Sequence, residues 1–158
     1  VLTNFSSKSE RKLRLLLSRD GSYVLEDHDP GTAGEPMRLK MAVKPVNSSD
    51  CFVQHKTTNR QVYEAAKEDS ADCDDVILWN ERGELTETTV CNLYLELDGR
   101  LLTPDSHCGL LKGTYREELL LAGETSQAIL TREDLMRATR LFVSNSVRGL
   151  CEATLISK

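Results

Sequence analysis

No run of lysines and arginines occurs in this sequence, and that absence argues against nucleic acid as a partner, because phosphate backbones call for a concentrated basic surface. Charged residues make up 28% of the 158 positions, both signs are interspersed, and the net charge is only −5. No apolar stretch approaches the roughly 20 residues needed to cross a bilayer. The opening VLTNFSSKSERK lacks the charged-then-apolar layout of a secretory signal. The five cysteines, Cys51, Cys73, Cys91, Cys108 and Cys151, are odd in number and scattered, with no CxxC pair. That usage fits a reducing, cytoplasmic compartment. Isolated histidines and dispersed thiols also lack structural-zinc spacing, so no metal is expected. Neither an internal repeat nor a low-complexity tract is present.

What is present suffices for one sizeable core: 39% of the residues are hydrophobic in a chain of ordinary domain length. KLRLLLSRDGSYVLED holds two β-compatible runs around Arg19-Asp20-Gly21, where Asp-Gly supplies the positive φ of a tight turn. It reads as a hairpin. DHDPGTAGEP, residues 27–36, gathers two prolines and two glycines and reads as a connector. Beyond it, MRLKMAVK alternates Met37, Leu39, Met41 and Val43 against Arg38, Lys40 and Lys44, a strand with one wet side. A polar loop then leads to Lys56, the segment from Arg60 to Glu68 reads as a helix, and DDVILWN as a strand. ELTETTVCNLYLELDGRLLTP is a second hairpin folded at Asp98-Gly99. GTYREELLLAGE starts at Gly113 and stops near Gly123, a helix. Thr131 with Asp134 forms a capping-box pattern before REDLMRA, and RLFVSN and CEATLIS finish as strands. These elements make a strand-rich α+β domain with short helices, not a doubly wound sheet.

Four places carry residues suited to chemistry. Lys56 lies in QHKTTNR beside a helix start, where a lysine is ordinarily solvated; a nucleophilic amine there requires shelter from water or crowding by positive charge. Glu87, in LTETTVCN, stands where a strand favours small or β-branched residues. In LLKGTYREELL, Gly113 lets the backbone approach an anion and the N–H groups of a helix start face outward. In VSNSVRGL, Ser144, Asn145 and Ser146 lie between two β-runs and ordinarily form a turn. An amine for a Schiff base, a carboxylate for a ring nitrogen and two phosphate positions are the parts that pyridoxal phosphate requires.

The order and wording of HKTTNRQVY, DDVILWNERGELTETTVCNLYLELDGRLLTP, CGLLKGTYREELL and NSVRGL resemble the fold-type IV pyridoxal-phosphate enzymes, the class IV aminotransferase and aminodeoxychorismate lyase family. The likeness spans roughly residues 12 to 156. It is strongest to the lyase domain of chains fused to aminodeoxychorismate synthase. The resemblance implies a D-amino-acid-aminotransferase-like large domain over residues 36–158, a strand-rich pseudo-barrel. Residues 1–35 then correspond to the last hairpin of the family's small N-terminal domain and its connector. By the same resemblance, Lys56 matches the Schiff-base lysine and Glu87 the carboxylate on the pyridine nitrogen. Asn92 matches a structural residue of the same loop. Thr114 and Tyr115 match the helix start whose amides hold the phosphate, and Ser146 with Asn145 the second phosphate position. Arg60 matches a position near the ring hydroxyl or a substrate carboxylate.

The sequence departs from the family pattern in two respects. Many relatives place Thr before the arginine of the phosphate helix, whereas here Tyr115 precedes Arg116, which leaves backbone amides as the contact. The family's small domain also supplies an arginine to the phosphate and closes the substrate pocket, and only its last hairpin is matched. Three functions stay open on the sequence. The first is a lyase that eliminates pyruvate from aminodeoxychorismate to give 4-aminobenzoate, a folate precursor. The others are a class IV aminotransferase of the branched-chain or D-amino acid type, and a truncated, non-catalytic domain. A homodimer acting on a small molecule is implied for the enzymes.

Overall fold

In a computed structural model, residues 7–31, 34–68 and 72–156 are described. Thr32 and Ala33 of the expected connector, and Ser157 of the expected last strand, lie outside them. The chain divides into two units, Val1–Gly34 and Glu35–Lys158. The first holds the expected hairpin, β1 (Lys12–Leu17) against β2 (Tyr23–His28), antiparallel from Lys12↔His28 to Leu17↔Tyr23. Gly21 at its turn takes φ +86°, a conformation that L side chains resist.

The second unit is built on one eight-stranded sheet in the order β5-β4-β3-β10-β9-β6-β7-β8. Its strands are β3 (Met37–Met41), β4 (Asp75–Trp79), β5 (Leu85–Thr88), β6 (Asn92–Leu97), β7 (Arg100–Pro104), β8 (Ser126–Ala128), β9 (Arg140–Asn145) and β10 (Gly149–Leu155). A further pairing of β5 with β6 closes the six strands from β5 round to β6 into a pseudo-barrel. One edge of β6 serves both β5, through Glu87↔Asn92, and β7, through Leu95↔Leu102. The expected second hairpin is therefore two hairpins. Thr88 Oγ1 accepts the Cys91 amide at 3.0 Å, which breaks the strand after Thr88 and returns the chain at Asn92. The fold at Asp98-Gly99 is present, with both residues at positive φ.

Three pairings are parallel, β10 with β3, β3 with β4 and β7 with β8, so the chain crosses over as well as doubling back. The crossover between β3 and β4 carries α1 (Cys51–Gln54) and α2 (Gln61–Lys67). The loop expected before Lys56 thus contains a helical turn, capped by Asp50, whose carboxylate accepts the Phe52 amide. Strand β3 stops at Met41, short of the expected Lys44, and Val43 turns out to solvent. The sequence pattern did not reveal β8. Both later helices appear: α3 (Thr114–Leu121) and α4 (Arg132–Arg137), the latter with the Thr131–Asp134 capping box. No helix among the described residues is long and apolar enough to cross a membrane.

The run DVILW explains how one sheet supports two cores. Side chains alternate along β4, so Ile77 joins Leu39, Leu85, Leu93, Leu95, Leu141 and Val143 in one cluster. Val76 and Leu78 join Val53 of α1 and Tyr63 of α2 in the other. A strand buried on both faces reads as continuous apolar sequence. The second cluster fastens the Lys56 region to the barrel.

Close packing also sets the approach to α3. Gly109 lies at φ +85°, and a Cβ there would fall 2.5 Å from Ser48 Cα. Gly109→Ala should therefore cost roughly 2–4 kcal/mol, combining positive-φ strain with overpacking against backbone. Gly99 has a similar φ, +72°, and open space around it, so Gly99→Ala should cost only the strain, about 1–2 kcal/mol. Urea unfolding of the two variants checks this; equal losses would mean that the Ser48 contact gives way freely.

Candidate functional site

Glu87 is the centre of the candidate site. It lies on β5, whose four residues are all buried, and is itself 5% exposed. A carboxyl group so placed needs donors. Two converge on Oε1: the Tyr63 hydroxyl at 2.9 Å and the Leu111 backbone amide at 3.2 Å. Desolvation pushes the Glu87 pKa up to about 8 from 4.5, opposed by those two hydrogen bonds and by the charges of Lys56 and Arg60. The carboxyl is thus mostly protonated at neutral pH.

The Leu111 amide reaches Glu87 because of Asn92. Glu87 and Asn92 are direct cross-strand partners, so their side chains share a face. Asn92 Nδ2 donates to Leu111 O at 2.8 Å. The same carboxamide comes so near Gly113 that a Cβ there would sit 2.1 Å from Asn92 Oδ1. Only glycine fits, and it is the N-cap of α3. No side-chain hydrogen bond caps that helix, so its first amides, at Thr114 and Tyr115, remain suited to an anion. Arg116, by contrast, is buried and donates to Pro104 O and Gln127 Oε1. It braces the helix from within.

The fourth sequence feature converges on the same end of the barrel. Ser144 is the register partner of Asn92, and the turn from β9 to β10 follows it. Asn145 Oδ1 accepts the amides of Val147 and Arg148, both at 3.0 Å, while its Nδ2 contacts Cys91 Sγ at 3.2 Å. Ser146 at the tip is exposed. A Cβ on Gly149 would lie 3.5 Å from Tyr115 Oη, so the start of α3 and this turn are neighbours.

Two placements differ from a simple reading. An amine sheltered from water is expected at position 56, yet Lys56 stands exposed. The reason is local: α1 ends at Gln54, His55 is extended, and Thr57 and Thr58 are themselves exposed. Lys56 nevertheless acts electrostatically on Glu87. Arg60 donates to Thr89 O and stacks 4.6 Å over the Tyr63 ring, a cation–π contact. Tyr63 and the Leu111 amide were not singled out by the sequence. The available signal was a tyrosine three positions after Arg60, which puts the two on one helix face.

A family model described as amino-transferase class IV matches residues 4–156 of this chain. A Schizosaccharomyces pombe protein provisionally named an aminodeoxychorismate lyase is 35% identical over 109 residues, 65% of this chain and 47% of that protein. A solved structure from Mesorhizobium loti, provisionally named an amino-acid aminotransferase, is 37% identical with a TM-score of 0.89. It covers 98% of this chain and 76% of its own. The 4-amino-4-deoxychorismate lyase structure from Pseudomonas aeruginosa shares the fold at 21% identity and a TM-score of 0.74, covering 89% of this chain and 57% of that one. The chain spans less than half the length of the curated relatives it matches.

The protonation of Glu87 is measurable without any ligand. A carboxyl whose pKa is raised by folding contributes its stability below the unfolded value, and that contribution is lost as pH climbs to the folded value. Glu87→Gln is neutral throughout. Its stability relative to the unaltered chain should therefore grow from pH 4.5 to about 8, by up to about 1.4 kcal/mol per pH unit, then level off. Chemical denaturation at a series of pH values reads the difference; a flat profile would show that Glu87 is not buried in solution.

Proposed function

Because the chain belongs to the class IV amino-transferase family, we propose that its second unit, residues 36–158, is the pyridoxal-phosphate-binding domain of an aminodeoxychorismate lyase. The observation that carries the cofactor reading is the buried Glu87 carboxyl, which feels the Lys56 charge, together with the uncapped start of α3. These residues fit the group. A buried acid held by one oxygen suits a ring nitrogen, and the amides of Thr114 and Tyr115 with the exposed Ser146 suit a phosphate. The Asn145 side chain, already bonded to the Val147 and Arg148 amides and to Cys91, instead shapes the turn. Lys56 would hold the cofactor through its amine. When bound, the cofactor supplies a conjugated ring able to accept the electrons of a deprotonated substrate carbon.

The remaining work falls to the chain. Lys56, exposed on a short loop, would take the proton from the carbon bearing the substrate's amino group. In aminodeoxychorismate, loss of that proton accompanies rupture of the bond to the enolpyruvyl oxygen; the departing enolate takes up a proton to become pyruvate, and 4-aminobenzoate remains. Glu87 holds a proton at the site, kept there by burial. Likeness to the S. pombe protein, and the wording of HKTT and NSVRGL, support the lyase. Likeness to the M. loti protein supports a second reading, an aminotransferase that uses the same lysine and acid. The first unit we read as the last hairpin of the family's small domain. It leaves Leu15, Leu17, Tyr23 and Val24 half or more exposed, as a two-stranded ribbon without its sheet would. A homodimer, and fusion to or action with aminodeoxychorismate synthase, complete the proposal.

Borohydride reduction in the presence of pyridoxal phosphate should fix the label on the peptide containing Lys56, and Lys56→Ala should abolish it. Mass mapping reads the result, and a colourless, unlabelled protein would favour a non-catalytic domain. With aminodeoxychorismate alone, release of pyruvate and 4-aminobenzoate is expected. Product formation only when an amino acid and a keto acid are both supplied would select the aminotransferase.

A further inference from the structure

Both hydrogen bonds to Glu87 end on the same oxygen. Tyr63 Oη and the Leu111 amide each donate to Oε1. Oε2 accepts no hydrogen bond from the described residues, and it is not among the buried polar atoms sealed off without a partner. An oxygen accepting two donors is a poor place for an acidic proton, so neutral Glu87 carries its proton on Oε2. Tyr63 has only one hydroxyl hydrogen to give. Its other acceptor, Val53 O, stands at 3.5 Å against 2.9 Å for Glu87, beyond useful bonding distance. The phenol is held in turn, Tyr63 being 7% exposed in the cluster that α2 packs into, with its ring covered by the Arg60 guanidinium, which is tied to Thr89 O.

We propose that Tyr63 is a positioning residue which, with the Leu111 amide, confines the Glu87 proton to Oε2 and so presents that oxygen to the ring nitrogen of the cofactor. The second half of this statement rests on the pyridoxal-phosphate reading above; the first half does not. No bond beyond the O–H is made or broken: the proton held at Oε2 is the one shared with the ring nitrogen. Among the described residues, Tyr63 from α2 and the amide before α3 bond to Glu87, and the charges of Lys56 from the loop after α1 and of Arg60 at the α2 cap act on it. Of these, Tyr63 can be altered by deleting one atom.

Tyr63→Phe keeps the ring in place and removes the hydroxyl. The Tyr63 bond favours the ionised carboxylate, so its loss should raise the pH at which Glu87 ionises. In the unliganded chain, the stability change caused by Glu87→Gln should level off about one pH unit higher when Tyr63 is also replaced. An unshifted profile, with a loss that is the same at every pH, would reduce Tyr63 to packing and overturn the clamp. For the cofactor half, affinity is compared for pyridoxal phosphate and for its analogue with carbon in place of the ring nitrogen. Tyr63→Phe should weaken the first severalfold and leave the second unchanged; equal weakening of both would overturn the assignment. If the unaltered chain binds neither compound, the cofactor reading falls and takes the ring-nitrogen half with it, while the unliganded titration still decides the clamp.

Discussion

A carboxyl group buried to 5% exposure is the constraint around which this fold is arranged. Removing an ionised acid from water costs several kcal/mol unless the group is paired or neutral. Here it is met by two donors and by protonation, and each donor depends on a separate piece of the chain. Tyr63 arrives on a helix in the β3–β4 crossover. The Leu111 amide arrives on the segment before α3, pinned by Asn92. The sharp return at Thr88 sets Glu87 opposite Asn92. A change in any of these would cost the acid a donor.

The two-sided burial of β4 makes this arrangement possible. One face of the strand closes the barrel and the other receives α1 and α2, so the lysine loop is carried by the same layer that holds Tyr63. Parallel pairing of β3 with both its neighbours requires that crossover, and the crossover brings Lys56 toward β5. The β9–β10 turn and the start of α3 then meet at the same end through Tyr115 and Gly149. An amine, an acid, the uncapped start of a helix and a polar turn, spread over about ninety residues of sequence (56 to 146), are the parts that the proposed cofactor site would draw together.

Rigidity is distributed unevenly across the site. Glu87, Tyr63 and Asn92 are all buried, whereas Lys56 and Ser146 are exposed on short loops. The acid is therefore fixed before any ligand arrives, while the amine and the turn retain side-chain freedom. That division matches the proposed roles, since a base that forms and releases a covalent link must move and an acid serving as an electrostatic partner must not.

The amino-acid sequence by itself determined the α+β class, both tight Asp-Gly turns, the α3 and α4 boundaries with the Thr131–Asp134 cap, and the family likeness. These are local matters: a glycine at positive φ, a hydroxyl before a helix and alternation along a strand act over a few residues. It also marked Lys56, Glu87, Asn92, Thr114, Tyr115, Asn145 and Ser146, but could not say that they share one end. Tertiary structure alone decided the parallel pairings, the short β8 and the inward turn of Arg60 onto Tyr63, while the break at Thr88 and the exposure of Lys56 have local causes that the sequence pattern did not show. It alone joined Tyr63 to Glu87, 24 residues apart, because that bond forms only where desolvation makes an acid need a donor, and no spacing in the chain encodes how deeply a residue is buried.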